Sequence, residues 1–265
     1  MTDANALFLG TVPAVYDRCL GPFIFEPYAS DLARRVAATP DSRVLELACG
    51  TGIATRRLRE ALPSGAQLVA SDLSEAMIAI ARDRLAGADV HWRVADASAL
   101  PFKDGAFDTV ACQFGLMFLP DPARGFSEAR RVLRTGGEFL ANVWCSLDEN
   151  PAAGIAHAVL ARMFADDPPQ FLRVPYGSLD AAALRTLAAE AGFTSIDVSR
   201  VALEGRAVSA RAVADRFAKG TPLASALAAR GADLDAVADA FEAELAAHGG
   251  NPFRSPLAAL VLAAS

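Results

Sequence analysis

The chain has 265 residues, enough for one large domain with a sizeable core or a domain with an appendage. An apolar fraction of 53% and a charged fraction of 21% exclude a mostly disordered chain. A formal net charge of -6 argues against a broad basic footprint for nucleic acid.

Residues 1–39 read as an N-terminal cap, with turns at Pro13, Gly21, Pro22 and Pro27 and a helical pattern over Ala29–Ala38. From Asp41 short apolar runs alternate with helical periods. Arg43–Leu47 predicts a strand ending at Gly50 and Gly52, and Ile53–Ala61 a helix stopped by Pro63. Gln67–Ala70 predicts a second strand. Ser74 then caps the helix Glu75–Leu85, whose Met77, Ile78, Ala81 and Leu85 share one face. Val90–Val94 and Phe107–Cys112 read as strands three and four. Asp121-Pro122 opens a helix that runs to Leu133 and stops at Thr135-Gly136-Gly137, before a fifth strand, Glu138–Trp144.

Strands alternating with helices at this spacing predict parallel βαβ units, an α/β core over 40–146. Right-handed crossovers put every strand-to-helix loop on one edge of the sheet, where such sheets bind ligands. Beyond it, 147–265 turns helical. Helices are expected over Ala152–Phe164, over Leu179–Ala191 with Ser178 as its cap, and over Ala207–Lys219, Leu223–Ala229 and Leu234–Ala247. Phe193–Ala202 and Leu257–Leu262 read as the last two strands. Helices interrupting a sheet in this way resemble a lid on a single domain.

The first loop reads Glu46-Leu47-Ala48-Cys49-Gly50-Thr51-Gly52. Glycines at 50 and 52 let the backbone bend and approach a ligand at a helix N-terminus. A pyrophosphate fingerprint would need a third glycine at 55, where Thr55 stands, and two glycines alone also fit a structural turn. Asp72 ends the second strand, where a carboxylate can accept both hydroxyls of a ribose or simply cap the helix that follows. Val94-Ala95-Asp96-Ala97 repeats an acid at a strand end. There a carboxylate accepts from the exocyclic amine of an adenine, while the Ala97 N–H meets a ring nitrogen. A nicotinamide enzyme has no systematic need for that second acid, so the pair is the sharper signal.

Together E-L-A-C-G-T-G, S-D-L-S, V-A-D-A and F-D-T-V-A-C-Q-F-G-L-M-F, closed by R-V-L-R-T-G-G, resemble a class I S-adenosylmethionine-dependent methyltransferase. Within that superfamily they are most similar to the small-molecule group that includes ubiquinone and menaquinone biosynthesis methyltransferases. The resemblance covers about residues 40 to 146. It implies a Rossmann-like, doubly wound, seven-stranded sheet with a reversed last strand. It further implies S-adenosylmethionine as cofactor, with Glu46 and the backbone from Ala48 through Gly50 to Gly52 at its methionine end. Asp72 would take the ribose hydroxyls, Leu73 and Met77 would pack on the adenine, and Asp96 with Ala97 would read the adenine edge. Gln113 would face the methionine moiety. Tyr16 stands where relatives place a lid tyrosine on the cofactor, a position that also suits an anchor of the N-terminal cap.

Methyl transfer from a sulfonium is an in-line displacement with an already activated donor, so positioning and exclusion of water supply much of the catalysis. A base is needed only where the acceptor holds its proton at neutral pH. His157, on the apolar helix Ala152–Phe164, is the candidate for that role, although a plain surface or packing histidine is the favoured reading of the position. The apolar segments 148–176 and 207–250 predict a pocket for a small apolar or aromatic acceptor, with Phe164, Phe171, Phe217, Phe241 and Phe253 as candidate walls. Burial of the same faces in a homodimer is the competing reading, so monomer and homodimer both stay open.

A nucleic-acid methyltransferase is disfavoured by the acidic balance and by Gln113-Phe114-Gly115-Leu116 in place of an N-P-P-Y-type tetrapeptide. A catalytically inactive binding protein of the same fold, or a protein methyltransferase, remains an alternative. Cys19, Cys49, Cys112 and Cys145 have no zinc-ligand spacing and form no short disulfide framework, so no metal is expected. With no signal-peptide pattern at the start, and Leu257–Ala264 far short of the roughly 20 apolar residues of a membrane helix, a cytoplasmic protein without a membrane partner is expected.

Overall fold

A computed structural model describes residues 21–265, so Tyr16 lies outside the described residues. Seven strands form one sheet: β1 (Arg43–Leu47), β2 (Gln67–Asp72), β3 (His91–Val94), β4 (Phe107–Gln113), β5 (Leu133–Trp144), β6 (Ile196–Ala207) and β7 (Phe253–Ala264). Their order is β3-β2-β1-β4-β5-β7-β6. β1 to β5 pair in parallel, whereas β7 runs antiparallel to both β5 and β6. The order reverses between β1 and β4, which makes the C-terminal ends of these two strands the switch point where ligands of open α/β sheets bind.

The central strands are near-continuous apolar runs because helices cover both faces. Val44, Leu45 and Leu47 of β1 are buried, and so are Val110, Ala111 and Cys112 of β4. α1 (Glu26–Arg35) precedes β1, and between the strands lie α2 (Ile53–Ala61), α3 (Glu75–Arg84) and α4 (Pro122–Val132). Each follows the periodicity of its sequence. α4 begins at Asp121, whose carboxylate accepts from the Arg124 N–H at 3.1 Å, and buries Phe126, Ala129 and Val132. α3 is capped by the Ser74 hydroxyl, which accepts from the Met77 N–H.

The second half carries α5 (Pro151–Met163), α6 (Ala181–Glu190), α7 (Ala210–Lys219), α8 (Leu223–Ala228) and α9 (Leu234–Gly249). Trp144 at the end of β5 pairs with Ala259, so β7 residues 253–258, with their β6 partners, extend past the C-terminal end of β5. The α7–α9 insertion springs from that extension and therefore sits at the loop-bearing edge.

Several boundaries differ from the sequence reading. The first described α-helix starts at Glu26, three residues ahead of the expected Ala29. β5 begins at Leu133, which pairs with Phe107; the β4–β5 register then shifts, residues 134–137 bulge out of the pairing at Gly136-Gly137, and Glu138 resumes it opposite Thr109. Asp180 caps α6 in place of Ser178, its carboxylate accepting from the Ala183 N–H at 2.7 Å. β7 starts at Phe253, four residues before Leu257, since β6 pairs with it along its whole length.

Candidate cofactor and acceptor site

The loop after β1 is held in a tight, ligand-facing shape by its neighbours. Ala48 adopts φ 51° and Gly50 φ 55°, and Gly52, at φ 86°, opens α2. A Cβ on Gly52 would stand 3.1 Å from the Ala81 Cβ of α3, so the helices pack backbone to side chain at this point. The Asp72 carboxylate at the end of β2 accepts from the Gly50 N–H and from the Ser74 N–H, both at 2.8 Å. Burial raises its pKa, and these backbone donors oppose the rise. Two oxygens offer about four lone-pair directions, so acceptor capacity is left for hydroxyls of a ligand.

Glu46 is the most unusual group in the site. It is 1% exposed on a central strand, and its Oε2 has no hydrogen-bond partner. Burial pushes its carboxyl up to about 8; hydrogen bonds from Thr55 oppose the rise and the nearby Asp72 charge adds to it. An unpartnered carboxylate oxygen at this depth is costly unless a cation or N–H reaches it. Gln113 tells the same story from β4. Its Nε2 donates to the Phe25 carbonyl at 3.0 Å, while its Oε1 is buried without a partner. Glu46 pairs with Ala111, two residues before Gln113, so both side chains leave the same face of the sheet. Two buried acceptors on one face call for a donor-rich, cationic group such as a primary ammonium.

The backbone just past Gln113 is strained. Phe114 has φ 52°, which costs of order 1–3 kcal/mol for a non-glycine residue and concentrates at functional sites. It persists because the Phe114 N–H donates to the Asn142 carbonyl and side-chain oxygens, each at 3.1 Å. Gly115 follows because a Cβ there would lie 2.5 Å from the Ala48 Cβ and 2.8 Å from the Cys112 Sγ. Neither Ala48 nor Phe114 advertises a positive φ in its residue type, and sequence reasoning passed over both as backbone determinants.

Leu73 is 41% exposed beside Asp72, and Val94 is 48% exposed at the end of β3. Exposed apolar side chains flanking two acids suit a flat heteroaromatic ring. Met77, in contrast, is buried at 4%. Asp96 is exposed, its Oδ1 accepting from the Ser98 N–H at 2.7 Å, and Ala97 beside it is half-buried.

A pocket opens beyond the ends of β4 and β5. Ile24, Phe25, Phe114, Phe118 and Trp144 form one side, and Phe171, Leu172, Pro175, Tyr176, Phe217 and Thr221 the other. Phe114 stacks on Trp144 at 3.8 Å and 6°, with Tyr28 edge-on to both rings. The Phe25 carbonyl that accepts from Gln113 ties this wall to the polar site. Phe171 and Phe217 are walls, as expected, but Phe164, Phe241 and Phe253 are not; the last two are fully buried in the core. Helix α5 packs Ala152, Ala156, Val159 and Leu160 inward and contributes nothing to the pocket lining. His157 on that helix lies outside the lining too. Its Nε2 accepts from the Arg173 Nε–H at 3.4 Å, and burial, reinforced by the Arg173 charge, lowers its pKa. The aromatics at the strand ends, Phe114 and Trp144, were missed as pocket walls, although two aromatics closing neighbouring parallel strands must meet at one edge.

Cys49, Cys112 and Cys145 are free and buried, and burial pushes the Cys112 thiol up to about 12. Among the described residues no group of His, Cys, Asp and Glu is placed to hold a metal ion, and no helix is long and apolar enough to cross a membrane.

Residues 45–141 match the family described as methyltransferase domain. Over 108 residues the chain is 44% identical to a demethylmenaquinone methyltransferase of Clavibacter sepedonicus, a match covering 40% of this chain and 43% of that protein. A demethylmenaquinone methyltransferase of Thermus thermophilus is 42% identical over 114 residues, 42% of this chain and 50% of its own. The matched part thus spans half or less of these relatives' length. The fold extends further. Haemonchus contortus phosphoethanolamine N-methyltransferase 2, solved with S-adenosyl-L-methionine, superposes with a TM-score of 0.64 over 100% of this chain and 60% of its own, at 18% identity. The loops that carry Glu46, Asp72, Asp96 and Gln113 therefore lie within the stretch, residues 45–141, that matches a methyltransferase domain, in a chain with the class I methyltransferase fold.

Proposed function

We propose that this chain transfers a methyl group from S-adenosylmethionine to a small apolar or aromatic molecule. The observation that carries the reading is the buried pair Glu46 and Gln113, each with one unpartnered oxygen, on one face of the switch point, next to an aromatic pocket. The cofactor, when bound, supplies a methyl group already activated on a sulfonium. Glu46 and Gln113 would accept from its ammonium, which relieves both orphaned oxygens. Asp72 would accept from ribose hydroxyls with the capacity its backbone donors leave free. Leu73 and Met77 would pack on the adenine, and Asp96 with the Ala97 N–H would read its edge.

The pocket residues then position the acceptor and exclude water, which is what an in-line displacement on an activated donor needs. Among the described residues no carboxylate or imidazole lines the pocket, and its walls hold and orient the acceptor. The names of the relatives favour a quinone-type ring as acceptor. We read the activity as cytoplasmic and directed at a small molecule. Incubation with methyl-labelled S-adenosylmethionine and a panel of phenols and hydroquinones tests this. Label in an organic-soluble product, with S-adenosylhomocysteine in equal amount, is expected; binding of the cofactor with no transfer to any member would favour a binding protein of this fold.

A further inference from the structure

The acceptor pocket is aromatic almost throughout, and its few polar groups decide what it can recognise. The Thr221 hydroxyl is committed, donating to the Phe217 carbonyl at 3.1 Å and accepting from the Leu223 N–H at 3.2 Å. The Trp144 indole offers only a donor. Tyr176 is different. It is 9% exposed, lines the pocket, and its hydroxyl has no hydrogen-bond partner among the described residues. Burial alone raises its pKa, so the phenol stays protonated and acts as a donor at neutral pH.

Its ring is fixed in place. Tyr176 forms a β-bridge with Trp144, their rings lie 5.7 Å apart, and Gly177 at φ 81° turns the chain away where a Cβ would touch the Ser146 Cα at 3.4 Å. Trp144 in turn stacks on Phe114, the residue after Gln113, so the hydroxyl is carried on a rigid aromatic stack that ends at the proposed cofactor site. The hydroxyl is open to the pocket, where a ligand oxygen would give it the partner that the described residues do not.

We propose that Tyr176 determines specificity by donating a hydrogen bond to an oxygen on the acceptor's ring, so that the pocket selects neutral oxygenated aromatics over hydrocarbons of the same shape. The inference rests on reading the aromatic pocket as the acceptor site. Among the described residues the lining holds no charged side chain, so they offer alkylammonium, carboxylate and phosphate groups no counter-charge.

The test compares 1-naphthol with 1-methylnaphthalene, which differ by a hydroxyl in place of a methyl. Both are titrated calorimetrically against the full chain, with and without saturating S-adenosylhomocysteine. The wild type is expected to prefer 1-naphthol about tenfold, the worth of one neutral hydrogen bond. Tyr176→Phe abolishes that preference and leaves 1-methylnaphthalene binding within about twofold, since only the hydroxyl is lost. Phe171→Leu trims a wall without touching the hydroxyl, so it weakens both probes and keeps the preference. An undiminished preference in Tyr176→Phe, or equal weakening of both probes, overturns the proposal, because Tyr176 would then serve packing alone. Should Tyr176→Phe fail to fold, the absence of a preference in the wild type, or its loss in Phe171→Leu, overturns it instead. Failure of the underlying methyltransferase reading shows separately, as absence of S-adenosylhomocysteine binding while the naphthol preference is still measurable without it.

Discussion

Replacing Glu46 with Gln isolates the charge at the centre of the site. In the ligand-free protein the carboxyl titrates at about 8, so at pH 6.5 it is mostly protonated. A cationic ammonium arriving at the unpartnered Oε2 favours the ionised form, so binding expels a proton. The sign follows from linkage: cofactor affinity rises with pH up to about 8, by up to about tenfold per pH unit, and falls beyond it as the ligand's ammonium loses its proton. At pH 6.5 the ligand's own amino group, with an ordinary pKa near 8, stays protonated and does not confuse the slope.

Stability moves the opposite way. The folded-state pKa lies above the unfolded value of 4.5, so the ligand-free wild type loses stability as pH rises from about 5 to 8. A shift from 4.5 to about 8, at about 1.4 kcal/mol per unit, bounds that loss at roughly 5 kcal/mol. Glu46→Gln removes this component. It also loses the charge-assisted contact, and near pH 8 it binds S-adenosylhomocysteine about 2–3 kcal/mol more weakly than the wild type. Calorimetry at pH 6.5 in buffers of different ionisation enthalpy measures the released proton directly. Close to one proton is expected for the wild type and none for the variant. Equal proton release by both proteins, or a pH-independent wild-type affinity, would refute the assignment of Glu46 to the ammonium.

Asp72→Ala removes the acceptor for two backbone N–H groups as well as for a ribose, and should cost about 2–4 kcal/mol of cofactor binding together with a lower Tm. Asp96→Asn, at an exposed site where the amide oxygen still accepts, should cost about 1 kcal/mol or less; equal losses at both positions in calorimetry would contradict these roles. Gly115→Ala forces a Cβ to within 2.5 Å of Ala48 and 2.8 Å of the Cys112 sulfur, so the two loops must separate. Denaturant unfolding should show about 1–3 kcal/mol lost, with cofactor affinity falling about tenfold, and an unchanged affinity would show that the Ala48–Gly115 contact does not shape the site.

The parts of this fold that were legible in the sequence are those set by local chemistry. The apolar runs of β1 and β4, the caps Ser74 and Asp121, and the acids that close β2 and β3 each carry their signal in a few adjacent residues. What was not legible depends on contacts distant in sequence. Ala48 and Phe114 take positive φ because Asn142 and the facing loop hold them there, and nothing in an alanine or a phenylalanine encodes it. Apolar periodicity identified α5, Phe241 and Phe253 as buried surface, but it could not say whether that surface met a ligand or the core. The pocket instead draws on Phe25, Phe114, Trp144 and Tyr176, brought together by the strand order and by the bridge between Trp144 and Tyr176.

The central claim, that the switch point between β1 and β4 is built for S-adenosylmethionine and not for a dinucleotide, is tested most directly by equilibrium binding to the unmodified chain. Titration with S-adenosylmethionine and, separately, with NAD and NADP should give a dissociation constant in the micromolar range for the first and no saturable binding for the others. Tighter binding of a nicotinamide nucleotide than of S-adenosylmethionine would contradict it.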